Sequence, residues 1–165
     1  MGVSGSGIIA AMLAHRLHWT YEDGDSFHPQ SNIEKMHHGE PLDDADRWPW
    51  LHAIADWIDD TRRNGQHGIV ACSAIKRAYR DILVGDRRDV RIIFLKGDRD
   101  LIARRIAARA DHFMRPALLD SQFKALEEPK ADERPITVSI VPHPREIVEK
   151  IVAELGLDRV PADAH

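Results

Sequence analysis

The chain has 165 residues, 43% of them hydrophobic and 30% charged, with a formal net charge of -4. Those totals fit one globular domain with room for a proper core, and they give no reason to expect nucleic acid, whose binders carry a basic patch and a high pI. A single cysteine, Cys72, excludes an internal disulfide and fits a reducing compartment, no apolar run approaches the ~18 residues of a membrane span, and no basic-then-apolar leader is visible at the N-terminus.

The first element is Gly2-Val3-Ser4-Gly5-Ser6-Gly7. Gly2 and Gly7 have the spacing of the two glycines in the phosphate-binding pattern G-x-x-x-x-G-K-[ST]. Glycines there let successive N–H groups turn inward on an anion, and the following helix adds the positive end of its dipole. A tight turn of small residues is the plainer alternative. The pattern continues with a lysine and a hydroxyl residue, but this chain has Ile8 and Ile9. Only Met1 precedes Gly2, so the strand that normally feeds such a loop is absent from the sequence. The expectation is that the natural protein begins further upstream, because an unfilled slot in mid-sheet leaves two rows of backbone groups unpaired.

A helix is predicted over 8–17 and a strand over 19–22, leading into Asp23-Gly24-Asp25-Ser26-Phe27-His28-Pro29. In open α/β sheets ligands lie outside the carboxyl ends of strands. Asp23 and Asp25 are therefore candidates to orient a substrate hydroxyl, take its proton or hold Mg²⁺ through water. A capped turn is the alternative. Next, Asp44 or Asp46 is expected to cap a helix over 48–64, on which Trp50 and Trp57 share a core-facing side. Arg47 either grips a carboxylate substrate with its planar fork or pairs with a neighbouring Asp.

A β-branched strand over 68–72 places Ser73 at its end, before a helix over 74–84. Lys76 and Arg80 share one face of that helix, open to a phosphate or carboxylate ligand or simply to solvent. Cys72 reads as a small buried residue rather than a nucleophile. A strand over 90–95 precedes a helix over 98–109, where Arg105 and Arg109 stand four apart. Together with the stretch to about 120 they suit a lid over nucleotide phosphates, or an exposed charged helix. Helix 116–126, strand 136–141 and helix 144–155 complete the chain, and residues 156–165 are expected to fray. The ten histidines are scattered without a convincing ligand set. Strands alternating with helices argue for an α/β fold, a parallel sheet covered on both faces and joined by right-handed crossovers.

In this order the segments resemble the gluconate kinase family of P-loop small-molecule kinases. The resemblance is carried by Gly2-Val-Ser-Gly-Ser-Gly7, Asp23-Gly-Asp25, His28-Pro29, Asn32-Ile-Glu-Lys35-Met36, Gly39-Glu-Pro-Leu42, Asp46-Arg47, Pro49-Trp50-Leu51, Cys72-Ser-Ala74, Lys76, Tyr79-Arg80-Asp81, Leu95-Lys-Gly97, His112-Phe-Met114 and Leu118-Leu-Asp-Ser-Gln-Phe123. It covers the chain to about residue 155.

The resemblance implies a three-layer P-loop kinase domain over 1–165, with its first strand truncated. It implies a cytoplasmic enzyme, often a homodimer, that phosphorylates D-gluconate from ATP with Mg²⁺. No nucleic acid or membrane partner is implied. Gly2, Val3, Ser4, Gly5, Ser6 and Gly7 would cradle the ATP phosphates. Asp25 would orient or deprotonate the gluconate 6-hydroxyl, with Arg105 and Arg109 on the lid side. Asp23, His28, Arg47, Ser73, Lys76 and Arg80 would surround the sugar acid. No residue is fixed as a metal ligand; Mg²⁺ is expected to enter with ATP, with Asp25 the one carboxylate to consider.

The family loop continues with Lys and Ser or Thr, and aligning back from Asp23 leaves this chain two residues short at that dipeptide. Loss of such a charge is expected to cost about 3–4 kcal/mol of transition-state stabilisation, roughly a hundredfold to a thousandfold in rate. It would also turn the first helix by about 200° unless the loop absorbs the change. Two alternatives follow: a sugar-acid-binding module impaired in transfer, and a kinase for another small hydroxy acid.

Overall fold

The computed structural model describes residues 6–107 and 116–157. Seven α-helices and four short strands alternate among these residues. In chain order they are α1 (Ser6–Leu17), β1 (Thr20–Asp23), α2 (Gln30–His37), α3 (Asp44–Arg63), β2 (Gly68–Ala71), α4 (Arg77–Val84), β3 (Ile93–Lys96), α5 (Arg99–Ala107), α6 (Pro116–Ala125), β4 (Ile136–Ser139) and α7 (Pro144–Glu154). A 3-10 turn over Gly24–Phe27 follows β1, and another over Ala131–Glu133 precedes β4.

The strands are parallel, as alternation with helices requires. They form two pairs rather than one continuous sheet: β1 with β2, in register from Thr20 opposite Gly68, and β3 with β4, from Ile93 opposite Ile136. Among the described residues no ladder joins β2 to β3. The single sheet expected from the sequence is seen, among the described residues, as these two pairs.

Successive side chains of β2 point to opposite faces, and each face meets a different core. Ile69 packs against a cluster built from Ile9 and Leu13 of α1, Leu95, Val138 and Ile151. Val70 packs against a second cluster built from Trp50, Leu51 and Ile54 of α3 with Tyr79 and Leu83 of α4. Helices therefore cover both faces, and the carboxyl ends of β1 and β2 open towards the same region.

The helix starts follow local chemistry. α3 begins four residues before the predicted position because Asp43 and Asp46 form a reciprocal capping box: Asp46 N–H donates to Asp43 at 2.8 Å and Asp43 N–H donates to Asp46 at 3.0 Å. α4 begins late, at Arg77, because the Ala74 carbonyl accepts from the Arg80 guanidinium at 2.9 Å. α1 begins at Ser6, two residues before the predicted start, and still buries Ile9, Ala10, Leu13 and Ala14 while Ile8 is exposed. Its apolar stripe faces the core, so the rotation expected from a shortened loop does not occur.

Candidate active site

The turn after β1 is fixed from three sides. Asp23 caps it by accepting the Asp25 N–H at 2.9 Å. The indole N–H of Trp50 donates to the Gly24 carbonyl at 2.7 Å. A Cβ on Gly24 would run into the Ala71 carbonyl and Cys72, so only glycine allows the turn to lie against the end of β2. These contacts hold Asp25 at the mouth of the β1–β2 pair.

Asp25 keeps 64% of its side-chain surface open. Desolvation by the surrounding protein and, second, the Asp23 charge push its pKa up to about 6; water on the open side moderates both effects. His28 lies one turn further on, with its ring buried and stacked on Trp50 at 4.4 Å. Its Nε2 is 3.8 Å from Asp25 Oδ1. Burial first, then the Arg47 charge, lower the His28 pKa to about 4, against a smaller opposing effect of Asp23. The imidazole is neutral at physiological pH.

Arg47 also lines a cleft of about 440 Å³, with Leu42, Asp44, Lys76, Tyr79 and Ser121 among others. Arg47 is 8% exposed, and its Nε has no partner. Its guanidinium lies 5.3 Å from the centre of the Tyr79 ring, and the Lys76 ammonium lies 5.7 Å from the same centre. Asp44 balances this charge: its carboxylate accepts from Lys76 at 3.0 Å and from the Tyr79 hydroxyl. Those two hydrogen bonds hold Asp44 below the usual carboxylate range, while burial and then Asp44 push the Tyr79 phenol upward. An orphaned buried guanidinium N–H is costly, and a ligand carboxylate in this cleft would satisfy it.

No family model matches the chain. It is 45% identical over 148 residues to a thermoresistant gluconokinase of Escherichia coli strain K12, with 88% of this chain and 85% of that protein covered. It is 42% identical over 154 residues to a gluconokinase of Gluconobacter oxydans strain 621H, covering 92% and 86%. The chain belongs to the gluconokinase family. Solved structures agree with the fold. A sugar kinase of Janibacter sp. HTCC2649, in an unliganded crystal structure, superposes with a TM-score of 0.88 at 36% identity over 94% of this chain and 90% of that one. A gluconokinase of Sinorhizobium meliloti 1021 superposes with a TM-score of 0.84 at 35% identity, covering 93% and 86%.

Within this gluconokinase-family chain, the structure brings Asp23, Asp25, His28 and Arg47 into one neighbourhood, and places Lys76 with Arg47 beside the Tyr79 ring on the lining of the cleft. Ser73 is the second residue after β2 and is half-buried. Arg80 goes elsewhere: Nε and Nη2 donate to Glu133 at 2.7 and 3.3 Å and Nη1 to Ala74, in a pair with both side chains almost fully buried. All three guanidinium nitrogens are used within the protein, so Arg80 braces Ala74 and the 3-10 turn over Ala131–Glu133 and is not among the residues lining the cleft. Arg105 clasps the carbonyls of Ile140 and Val141 beyond β4 with two of its five N–H donors. Gly2, Val3, Ser4, Gly5 and Arg109 lie outside the described residues, as do 108–115 of the expected lid and most of the expected frayed tail. Gly7 lies in the first turn of α1, beside the Tyr21 hydroxyl.

Sequence reasoning missed two members. Asp44 was expected at most to cap α3, but Asp43 is the cap and Asp44 reaches Lys76 and Tyr79. Asn32, on the unpredicted helix α2, is 1% exposed and hydrogen-bonds His28. A polar residue one turn after His28-Pro29 was the available signal. Among the described residues no group of three or more His, Cys, Asp or Glu is arranged to hold a metal ion. No helix among them is long and apolar enough to cross a membrane.

Proposed function

We propose that the chain is a gluconokinase, transferring the γ-phosphoryl group of ATP to the 6-hydroxyl of D-gluconate. The observation that carries the substrate assignment is the buried, unpartnered Nε of Arg47, a residue that lines the cleft together with Lys76. Two cations there suit one carboxylate, and the polyol chain of an aldonic acid then extends towards the turn after β1. Asp25 takes the proton of the 6-hydroxyl as that oxygen bonds to the γ-phosphorus and ADP departs. A base with a pKa of about 6 is ionised at neutral pH and still basic enough to accept a proton. His28 and Ser73 flank this path, and Asp23 holds the turn. The glycine-rich residues 2–7 and the N-terminus of α1 take the phosphates; Mg²⁺, bound with ATP, supplies charge neutralisation there. Arg105 and Arg109 complete the phosphate side from the lid. A cytoplasmic location and a homodimeric assembly belong to the same proposal.

The residues Ile8 and Ile9 after Gly7 favour a second reading, a sugar-acid binder slow in transfer. One experiment separates the two. Isothermal calorimetry with gluconate and a coupled ADP-release assay are run on the chain and on a variant with Lys-Ser inserted after Gly7. Gluconate binding in both, with turnover about a hundredfold to a thousandfold higher in the insertion variant, is the expected outcome. Absence of gluconate binding in both overturns the substrate assignment, and equal brisk turnover in both overturns the impairment.

A further inference from the structure

We propose that Asn32 is a positioning residue that locks His28 in the Nε2–H tautomer, so that this N–H is aimed at Asp25. The inference rests on the reading of Asp25 as the base, and it follows from counting donors.

The Asn32 side-chain nitrogen is 2.8 Å from the backbone carbonyl of Asp46, which only accepts. That contact decides which end of the amide is nitrogen; the flipped amide would press two oxygens together. The same nitrogen is 3.2 Å from His28 Nδ1. It carries two protons, so one goes to Asp46 and the other to Nδ1. Nδ1 must then present its lone pair, and the single ring proton of the neutral imidazole lies on Nε2, the atom that faces Asp25 Oδ1 at 3.8 Å. Protonating the ring would set an N–H of His28 against an N–H of Asn32.

The surroundings leave little freedom to escape this arrangement. Asn32 is buried on α2, and Lys35 of the same helix is tied to the Asp46 carboxylate at 2.9 Å. The ring is stacked on Trp50 of α3, which also holds Gly24. The charged groups that act on it are Asp25 and Asp23 from the turn and Arg47 from α3. With the imidazole fixed in plane and in tautomer, a small shift of Asp25 closes a hydrogen bond to one carboxylate oxygen and leaves the other free for the substrate hydroxyl. Asn32 thus acts through His28 and touches no substrate.

The test is a long-range ¹H–¹⁵N correlation spectrum of histidine-labelled protein at pH 7.5, with the His28 signals identified by their loss in His28→Gln. The expected result is a pyridine-like Nδ1 and a pyrrole-like Nε2. An Nδ1–H pattern, or two averaged nitrogens, overturns the proposal. Asn32→Asp replaces the donor by an acceptor and is expected to move the proton to Nδ1 or charge the ring; an unchanged Nε2–H pattern overturns it as well. In the variant with Lys-Ser inserted, Asn32→Asp is expected to lower kcat at least about tenfold with little change in KM for gluconate. The spectrum does not depend on turnover, so the two readings fail separately. An Nε2–H tautomer with full turnover in Asp25→Asn sinks the base assignment alone. An Nδ1–H tautomer with an inactive Asp25→Asn sinks the role of Asn32 alone.

Discussion

Asp25 and His28 are pushed in opposite directions on the pH scale, and their effects on stability oppose each other. Asp25 rises from 3.8 to about 6, so between those values the folded chain holds more protons than the unfolded one. Stability from this group is full below pH 3.8 and falls as pH rises to 6. His28 falls from 6.5 to about 4, so there the unfolded chain holds more protons, and stability rises as pH rises to 6.5. The two slopes offset each other between about pH 4 and 6, and thermal melts across that range are expected to be flat. Asp25→Asn should expose the His28 slope. It should raise Tm by about 1–3 °C at pH 8, change little at pH 3.5, and abolish measurable transfer in the insertion variant. Arg47→Met keeps the length of the side chain and removes its charge. Calorimetry should show gluconate affinity reduced at least about tenfold, the loss of a charge-assisted hydrogen bond, with far-UV circular dichroism unchanged. Which carboxylate does what was not legible from residue types alone. Asp43, Asp44 and Asp46 stand within four positions, and only their direction on the first turn of α3 assigns Asp43 to the cap, Asp46 to the box and Lys35, and Asp44 to the cleft.

At the scale of elements, two glycines mark places where backbone and side chain meet too closely for any other residue. Gly24 lies on the end of β2, and Gly97, just after β3, lies on Ile140. Gly24→Ala and Gly97→Ala are each expected to cost about 1–3 kcal/mol in urea unfolding. The first should also reduce gluconate turnover in the insertion variant because it moves Asp25; the second should not. The buried Arg80–Glu133 pair fastens the 3-10 turn before β4 to α4. Glu133→Gln leaves a buried guanidinium undercompensated and should cost about 3–5 kcal/mol. The alternation of elements was readable because β-branched runs and 3.6-residue periodicity differ strongly. α2 was not, because an eight-residue helix with Pro29 as its cap and no side-chain cap hydrogen bond leaves almost no pattern. Nor was the Arg80–Glu133 pair, since 53 residues separate its partners.

Over the whole molecule, the parallel α/β architecture with helices on both faces was legible from the chain, whereas the pairing of the strands two by two among the described residues was not. Ile69 of β2 and helix α1 both link the pairs. The helix lies against β1 and β2, and through Ile9 and Leu13 it shares a core with β3, β4 and α7. Leu13→Ala should cost about 2–5 kcal/mol, and hydrogen exchange should then quicken in both strand pairs together. The same helix begins at Ser6, where the glycine-rich segment ends. A phosphate seated at that end would therefore pull on a helix that touches both halves, and nucleotide binding would be felt as stiffness on the gluconate side of the molecule before any chemistry occurs.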